Sequence, residues 1–100
     1  MARLKFSARS LADLDEIWER IALDSVCNAD SVHDRIFQKF DLLLGQPRAG
    51  HPRNDLKPGL RAMNSDGYMI FYHVRGSDVG ISRIVHHSRD LSSIDFTEAP

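Results

Sequence analysis

The chain is short of most things that mark a secreted, membrane-bound or cofactor-dependent protein. It has one cysteine, Cys27, which rules out a disulfide framework and suits a reducing cytoplasm. With no second cysteine and no Cys/His ligand spacing, no structural metal is expected, and no motif asks for a cofactor. No apolar run is long enough to span a bilayer, and the opening MARLKF lacks the apolar stretch of a signal peptide. Charge of one sign is also missing: 13 basic and 14 acidic residues leave a net charge of −1. That excludes a nucleic-acid binder driven by bulk charge, and no specific DNA contact by the chain alone is expected. A Gly-rich phosphate loop, a supported Ser/His/Asp order and paired carboxylates in a cleft pattern are all absent.

What is present suits a single small domain over residues 1–100. Hydrophobic content of 42% against 27% charged residues places it among globular rather than disordered chains. A core this thin supports two layers of secondary structure.

RLKF, residues 3–6, alternates apolar and basic residues and reads as a half-buried strand. A helix should start at Ser7 or at Ser10, where SLAD puts an acid three residues after a cap. Leu11, Leu14, Trp18 and Ile21 recur at helical spacing with Ile17 beside them, and Asp13, Asp15, Glu16 and Glu19 fill the other face. After DSVCNADS a second helix, capped by Asn28 or Asp30, should carry Val32, Ile36, Phe40 and Leu43 inward. Gly45 and Pro47 mark its end. Two helices so closely joined should form an antiparallel hairpin.

The stretch QPRAGHPRNDLKPG reads as a loop. Three short strands follow, LRAMN, YMIFYHV and VGISRIVH, with RGSD turning the second into the third. Strict alternation would put Val79, Ile81, Arg83 and Val85 on one face. The fold class is therefore α+β in the order β-α-α-β-β-β, a helical hairpin packed on one face of a small, mainly antiparallel sheet. The other face is left open for a groove.

Four features have both a chemical and a structural reading. Arg61, His73, Arg83, His86, His87 and Arg89 lie on the meander or at its end. Histidines can move protons and arginines can stabilise a phosphorane, as a nuclease requires. But alternation sets Arg83 opposite His86 unless a bulge intervenes, and the arginines can instead pair with acids such as Asp90. Tyr68 and Tyr72 share a face, suited to base stacking or to packing under a helix. Trp18 is either core or, at the edge of its stripe, an anchor for a partner. HPRNDLKPGLR, with Arg48 just before it, is either a stiff connector or a basic contact surface, since Arg48, Arg53, Lys57 and Arg61 face one acid, Asp55.

In combination these segments go further. ADLDEIW on the first helix, PRAGHPRNDLKPGLR before the meander, GYMIFYHV and ISRIVHHSRDL occur in order from about Leu4 to Leu91. Together they resemble toxins of the RelE/ParE superfamily, and within it the ParE branch. The resemblance implies a type II toxin held inactive by a ParD-like antitoxin whose disordered segment folds as it binds. It implies DNA gyrase as target, with no catalysis by the toxin. The implied target contacts are Arg61, Arg83, His86, His87 and Arg89 with the C-terminal segment, and the implied antitoxin contacts are Trp18, Arg53 and Lys57. The RelE branch offers the alternative of a ribosome-dependent mRNA endonuclease using Arg61, Arg83 and His86 or His87. A relative that keeps antitoxin binding without toxicity is the third reading. The tail SRDLSSIDFTEAP, which has neither Tyr nor Lys, is closer to the ParE ending.

Overall fold

A computed structural model of the chain describes residues 2–94 and 96. The order is β1 (Leu4–Phe6), α1 (Ala8–Ala22), α2 (Val26–Gly45), β2 (His51–Pro52), β3 (Arg61–Ser65), β4 (Tyr68–Arg75) and β5 (Asp78–His86), then a single 3-10 turn, Leu91–Ser93. The sheet order is β1-β5-β4-β3-β2. Among the described strands only the β1–β5 pair is parallel; the others form an antiparallel meander, and the helical hairpin crosses one face between β1 and that meander. The expected architecture is thus present, with β2 added as a two-residue edge inside the predicted loop.

The helices start where serines can cap them. Ser7 caps α1, its Oγ accepting from the Ser10 amide at 3.0 Å, and the same hydroxyl donates to the Ser82 carbonyl of β5 at 2.7 Å. One buried side chain therefore both begins the helix and ties it to the last strand. Ser25, not Asn28 or Asp30, caps α2, with its Oγ accepting from the Asn28 amide. Asp30 is engaged elsewhere and accepts from the Trp18 indole. Gly45 is the last helical residue rather than the one beyond it.

Between helices and sheet lies the main core. Leu14 and Ile17 of α1 and Ile36, Phe40 and Leu43 of α2 meet Tyr68, Ile70 and Tyr72 of β4 and Val79, Ile81 and Ile84 of β5. The Tyr72 ring is fully buried, its hydroxyl donating to the Pro47 carbonyl and accepting from the Gly50 amide. Both tyrosines are core residues under the helices and do not present a stacking face. Gly50 is required there: a Cβ would lie 2.5 Å from the Tyr72 hydroxyl. Leu11, expected in the apolar stripe, is instead half exposed at the start of α1.

The last strand departs from alternation. Phe71 pairs with Arg83 but Tyr72 pairs with Ile81, so Ser82 has no partner on β4 and β5 carries a bulge. Val79 and Ile81 pack under the helices, whereas Val85 belongs to the opposite face. The single face expected for Val79, Ile81, Arg83 and Val85 is broken by that one extra residue.

At the bulge Arg83 is 5% exposed and Asp13 7%, and the two meet. Arg83 Nε donates to Asp13 Oδ2 at 2.8 Å and Nη2 to Oδ1 at 3.1 Å, while the Ile84 amide also donates to Oδ2 at 3.0 Å. Asp13 is therefore neither on the solvated face of α1 nor a capping acid. It is a buried staple between helix and strand.

The second face of the sheet is not open along its whole length. Leu60, Ala62, Phe71 and Val85 are covered there by Ile94 and Phe96, with Leu56, Met69 and Leu91 around them. The Phe96 ring meets the Phe71 ring edge-on at 4.8 Å between centroids. The segment after β5 thus fills half of the face expected to hold a groove.

Removing one partner of a buried, hydrogen-bonded charge pair leaves the other desolvated, which costs about 3–5 kcal/mol. Asp13→Ala should lower unfolding free energy in urea by an amount in that range, and Asp13→Asn, which keeps an acceptor oxygen, by less. A loss under 1 kcal/mol for Asp13→Ala would mean that the pair does not hold α1 to β5.

Candidate functional site

β5 ends in His86, and the chain then turns through His87, Ser88 and Arg89. The bulge decides where these side chains go. By moving Ile84 back to the helix side it brings His86 to that side as well, against Tyr68, with ring centroids 5.3 Å apart and the rings nearly perpendicular. His87 stacks beside His86 at 4.4 Å. His86, with Glu16 and Arg20 of α1 and with Ser88 and Arg89, borders a polar cleft of about 200 Å³ between α1 and the end of β5, and His87 lies beside it. The Asp13–Arg83 pair lies at its base, since Asp13 lines the cleft.

The two imidazoles are held in opposite tautomers. His86 Nδ1 accepts from the Ser88 amide at 3.3 Å and lies 2.7 Å from the Ser88 hydroxyl, so its neutral ring carries the proton on Nε2. His87 Nδ1 lies 2.9 Å from the Gly67 carbonyl, which can only accept, so this ring donates from Nδ1 and its Nε2 is a bare acceptor. The pair therefore offers one donor, on the half-buried His86, and one acceptor, on the exposed His87. Gly67 itself, with φ of +83°, forms the tight β3–β4 turn beneath His87.

The basic residues expected to join these histidines are elsewhere. Arg83, expected as a target contact, pairs its guanidinium with Asp13 inside the fold and is only 5% exposed. Its acid is Asp13, not Asp90; Asp90 accepts from Ser92, and those bonds hold its carboxyl below the usual range. Arg61 donates from Nη2 to the carbonyls of Arg48 and Gly50 at 2.9 and 2.7 Å, clamping the preceding loop to β3. Arg61 pairs with Tyr72 and His86 with Tyr68, four residues apart on β4. That separates the two rows by roughly 13 Å along the strand alone. Arg61, Arg83 and the histidines do not converge on one point, as the endonuclease arrangement needs. Among the described residues no group of three or more His, Cys, Asp or Glu side chains could hold a metal ion.

The residues expected at a partner surface have a different character. Trp18 is half-buried at the edge of its stripe, and its indole N–H donates to Asp30 Oδ1 across the hairpin at 2.9 Å. On the same two helices Leu11 and Phe37 are 50% and 41% exposed. Arg53 forms a forked pair with Asp55 at 3.0 Å, which raises the guanidinium's pKa and lowers that of the carboxyl. Lys57 donates to the Phe96 carbonyl at 2.9 Å. Asp95 and the chain from Thr97 on, part of the C-terminal segment expected to touch a target, lie outside the described residues.

Sequence reasoning missed the Asp13 staple and the apolar cover on the second face. The cover had a signal: Ile94 and Phe96 alternate in the tail as Val79 and Ile81 do in β5. The staple had none, because an acid at position 13 fits a solvated helix face equally well.

Comparison with known proteins is consistent along nearly the whole chain. Residues 4–91 match the family described as the ParE toxin of the type II toxin–antitoxin system parDE. Toxin ParE3 of Caulobacter vibrioides is 32% identical over 82 residues, covering 81% of this chain and 82% of that protein. Toxin ParE1 of the same organism is 30% identical over 92 residues, covering 88% and 92%. Toxin ParE1 of Mycobacterium tuberculosis is 25% identical over 95 residues. A solved structure described as the chromosomal ParDE TA system from P. aeruginosa superposes with a TM-score of 0.72 at 25% identity, covering 86% of this chain and 96% of that one. No helix among the described residues is long and apolar enough to cross a membrane.

The opposite tautomers are directly measurable. Long-range 1H–15N spectra above neutral pH should show His87 protonated at Nδ1 and His86 at Nε2. The same pattern for both rings would overturn the assignment.

Proposed function

The chain belongs to the ParE family of type II toxins, and from that membership we propose that it is neutralised in the cytoplasm by a ParD-like antitoxin and, once free, binds and inhibits DNA gyrase without catalysis of its own. The observation that carries this reading is the fate of the arginines. A nuclease centre needs Arg61 and Arg83 beside a histidine, whereas here one clamps a loop and the other is stapled to Asp13. What remains at the end of β5 is a surface: His86 and Arg89, with Arg20 across the cleft and His87 beside His86. Such a surface suits recognition of a protein, with one donor, one acceptor and two cations arranged around a polar cleft.

The antitoxin is expected to contribute an amphipathic helix and an extended segment. Leu11, Phe37 and the edge of Trp18 offer apolar area on the helical hairpin, as helix-in-groove recognition requires. Acids of the extended segment would face the Arg48–Arg61 stretch, where Arg53 and Lys57 would exchange their present partners for the antitoxin's. Folding of that segment on the toxin would couple binding to ordering.

Supercoiling by purified gyrase, with the toxin freed from its antitoxin, is the decisive measurement. Inhibition or trapped cleaved DNA is expected, and it should weaken at least tenfold when His86, His87 and Arg89 are all changed to Ala while the fold is kept. Codon-positioned mRNA cleavage on ribosomes, lost with the same substitutions, would reverse the reading in favour of the endonuclease.

For the antitoxin, rim charge pairs are worth about 0.2–1 kcal/mol each. Arg53→Glu with Lys57→Glu should therefore weaken the complex several-fold and reduce its salt dependence. Trp18→Ala should cost more, above 1 kcal/mol. A complex indifferent to both changes would move the antitoxin to another surface.

A further inference from the structure

The half of the second sheet face that Ile94 and Phe96 leave uncovered has its own construction. Gly80 of β5 pairs with Lys5 of β1 on one side and with His73 of β4 on the other. The middle position of this cross-strand row has no side chain, so Lys5 and His73 stand on either side of a gap. With Arg75 and Asp78 they enclose a cleft of about 110 Å³. It lies on the opposite face from the helices and is separate from the cleft at His86.

Three observations indicate what this gap accepts. His73 Nε2 is buried and has no hydrogen-bond partner among the described residues. Unsatisfied buried polar atoms are uncommon, and each calls for an explanation. The charges acting on the ring are positive, Lys57 from the loop before β3 and Arg75 on the same strand, and Lys5 on β1 lines the same cleft. The one acid, Asp78, is already committed, with Oδ2 3.6 Å from Lys5 Nζ and Oδ1 accepting from the Arg3 amide. The cleft thus has a cationic excess that a small anion would offset. Its volume suits a group of carboxylate size, and Asp78 on its rim disfavours a polyanionic phosphate chain.

We propose that the cleft formed by Lys5, Gly80, His73 and Arg75 is a carboxylate site, which receives an acidic side chain from the extended segment of the bound antitoxin. The identity of the partner rests on the antitoxin reading; the carboxylate chemistry does not. In the free protein burial, Lys57 and Arg75 hold the His73 ring below its usual pKa, with a hydrogen bond to the Gly59 backbone opposing them. A carboxylate in the gap reverses the balance, because the protonated ring has an N–H at both nitrogens and can donate from Nε2. Binding then takes up a proton. Affinity rises as pH falls towards the ring's own pKa and is lost again only when the carboxylate itself is protonated.

The test is the titration of the His73 ring by NMR in the full chain without antitoxin, in chloride, in acetate and in inorganic phosphate at equal ionic strength. Acetate should raise the midpoint by about one pH unit, a tenfold preference for the protonated ring. Lys5→Gln with Arg75→Gln, both on the exposed rim, should abolish the rise in a protein that still folds. An unchanged midpoint in acetate would overturn the proposal, as would a rise that survives the double substitution. A rise with phosphate alone would also overturn it, in favour of an anion site of another kind. Since no antitoxin is present, failure here leaves the antitoxin reading intact, and failure of that reading leaves a positive titration standing.

Discussion

The carboxylate of Asp13 holds this structure's two layers in register. It accepts from the guanidinium of Arg83 and from the Ile84 amide, so one side chain on α1 fixes both the side chain and the backbone of β5 just past its bulge. Ser7 does the same at the start of the helix, capping α1 and donating to Ser82. Between them they determine which residues of the last strand face the helices. A shift of one residue in a strand exchanges its two faces. The bulge makes that exchange once, between Ile81 and Ile84, and the helix-side anchors keep it from sliding. His86 meets Tyr68 because of this exchange, and Val85 reaches the second core for the same reason.

The same constraint accounts for the chemistry the site can and cannot do. A buried ion pair of this kind contributes specificity of arrangement more readily than raw stability. Arg83 is needed where it is, and a buried guanidinium already paired with a carboxylate is a poor stabiliser of a phosphorane. Arg61 is similarly occupied by two carbonyls of the loop it closes. The basic residues that read in sequence as a catalytic set are thus distributed between two structural tasks. The exposed remainder at the end of β5 has directional hydrogen-bonding groups without a convergent centre, which suits a docking surface better than an acid/base pair.

The helices and their inward faces were legible because periodicity is a local property. Ile36, Phe40 and Leu43 repeat at helical spacing whatever packs on them, and all three are fully buried. Their exact starts were less legible. Ser25, Asn28 and Asp30 are all good caps, and the choice fell to Ser25 once Asp30 was taken by Trp18. The bulge at Ser82 was invisible for a different reason. It follows from the distance between α1 and β5, which no window of sequence contains. The family resemblance carried the toxin assignment, but it could not say that Arg83 is inside.

The covered and uncovered halves of the second face show how a small domain manages with a thin core. Ile94 and Phe96 extend burial over Phe71 and Val85, adding a second apolar layer that the helices cannot reach. Lys57 donates to the Phe96 carbonyl at the margin of that layer, so the cover ends where the cationic half begins. Beyond it the row Lys5–Gly80–His73 has neither apolar side chains to bury nor enough acids to neutralise it. Extending the apolar cover across this row would bury Lys5 and Arg75 without partners, at a cost exceeding what the added area returns. The division of the face is therefore electrostatic in origin. It leaves a cationic strip beside an apolar one on a sheet whose other side packs against the helices.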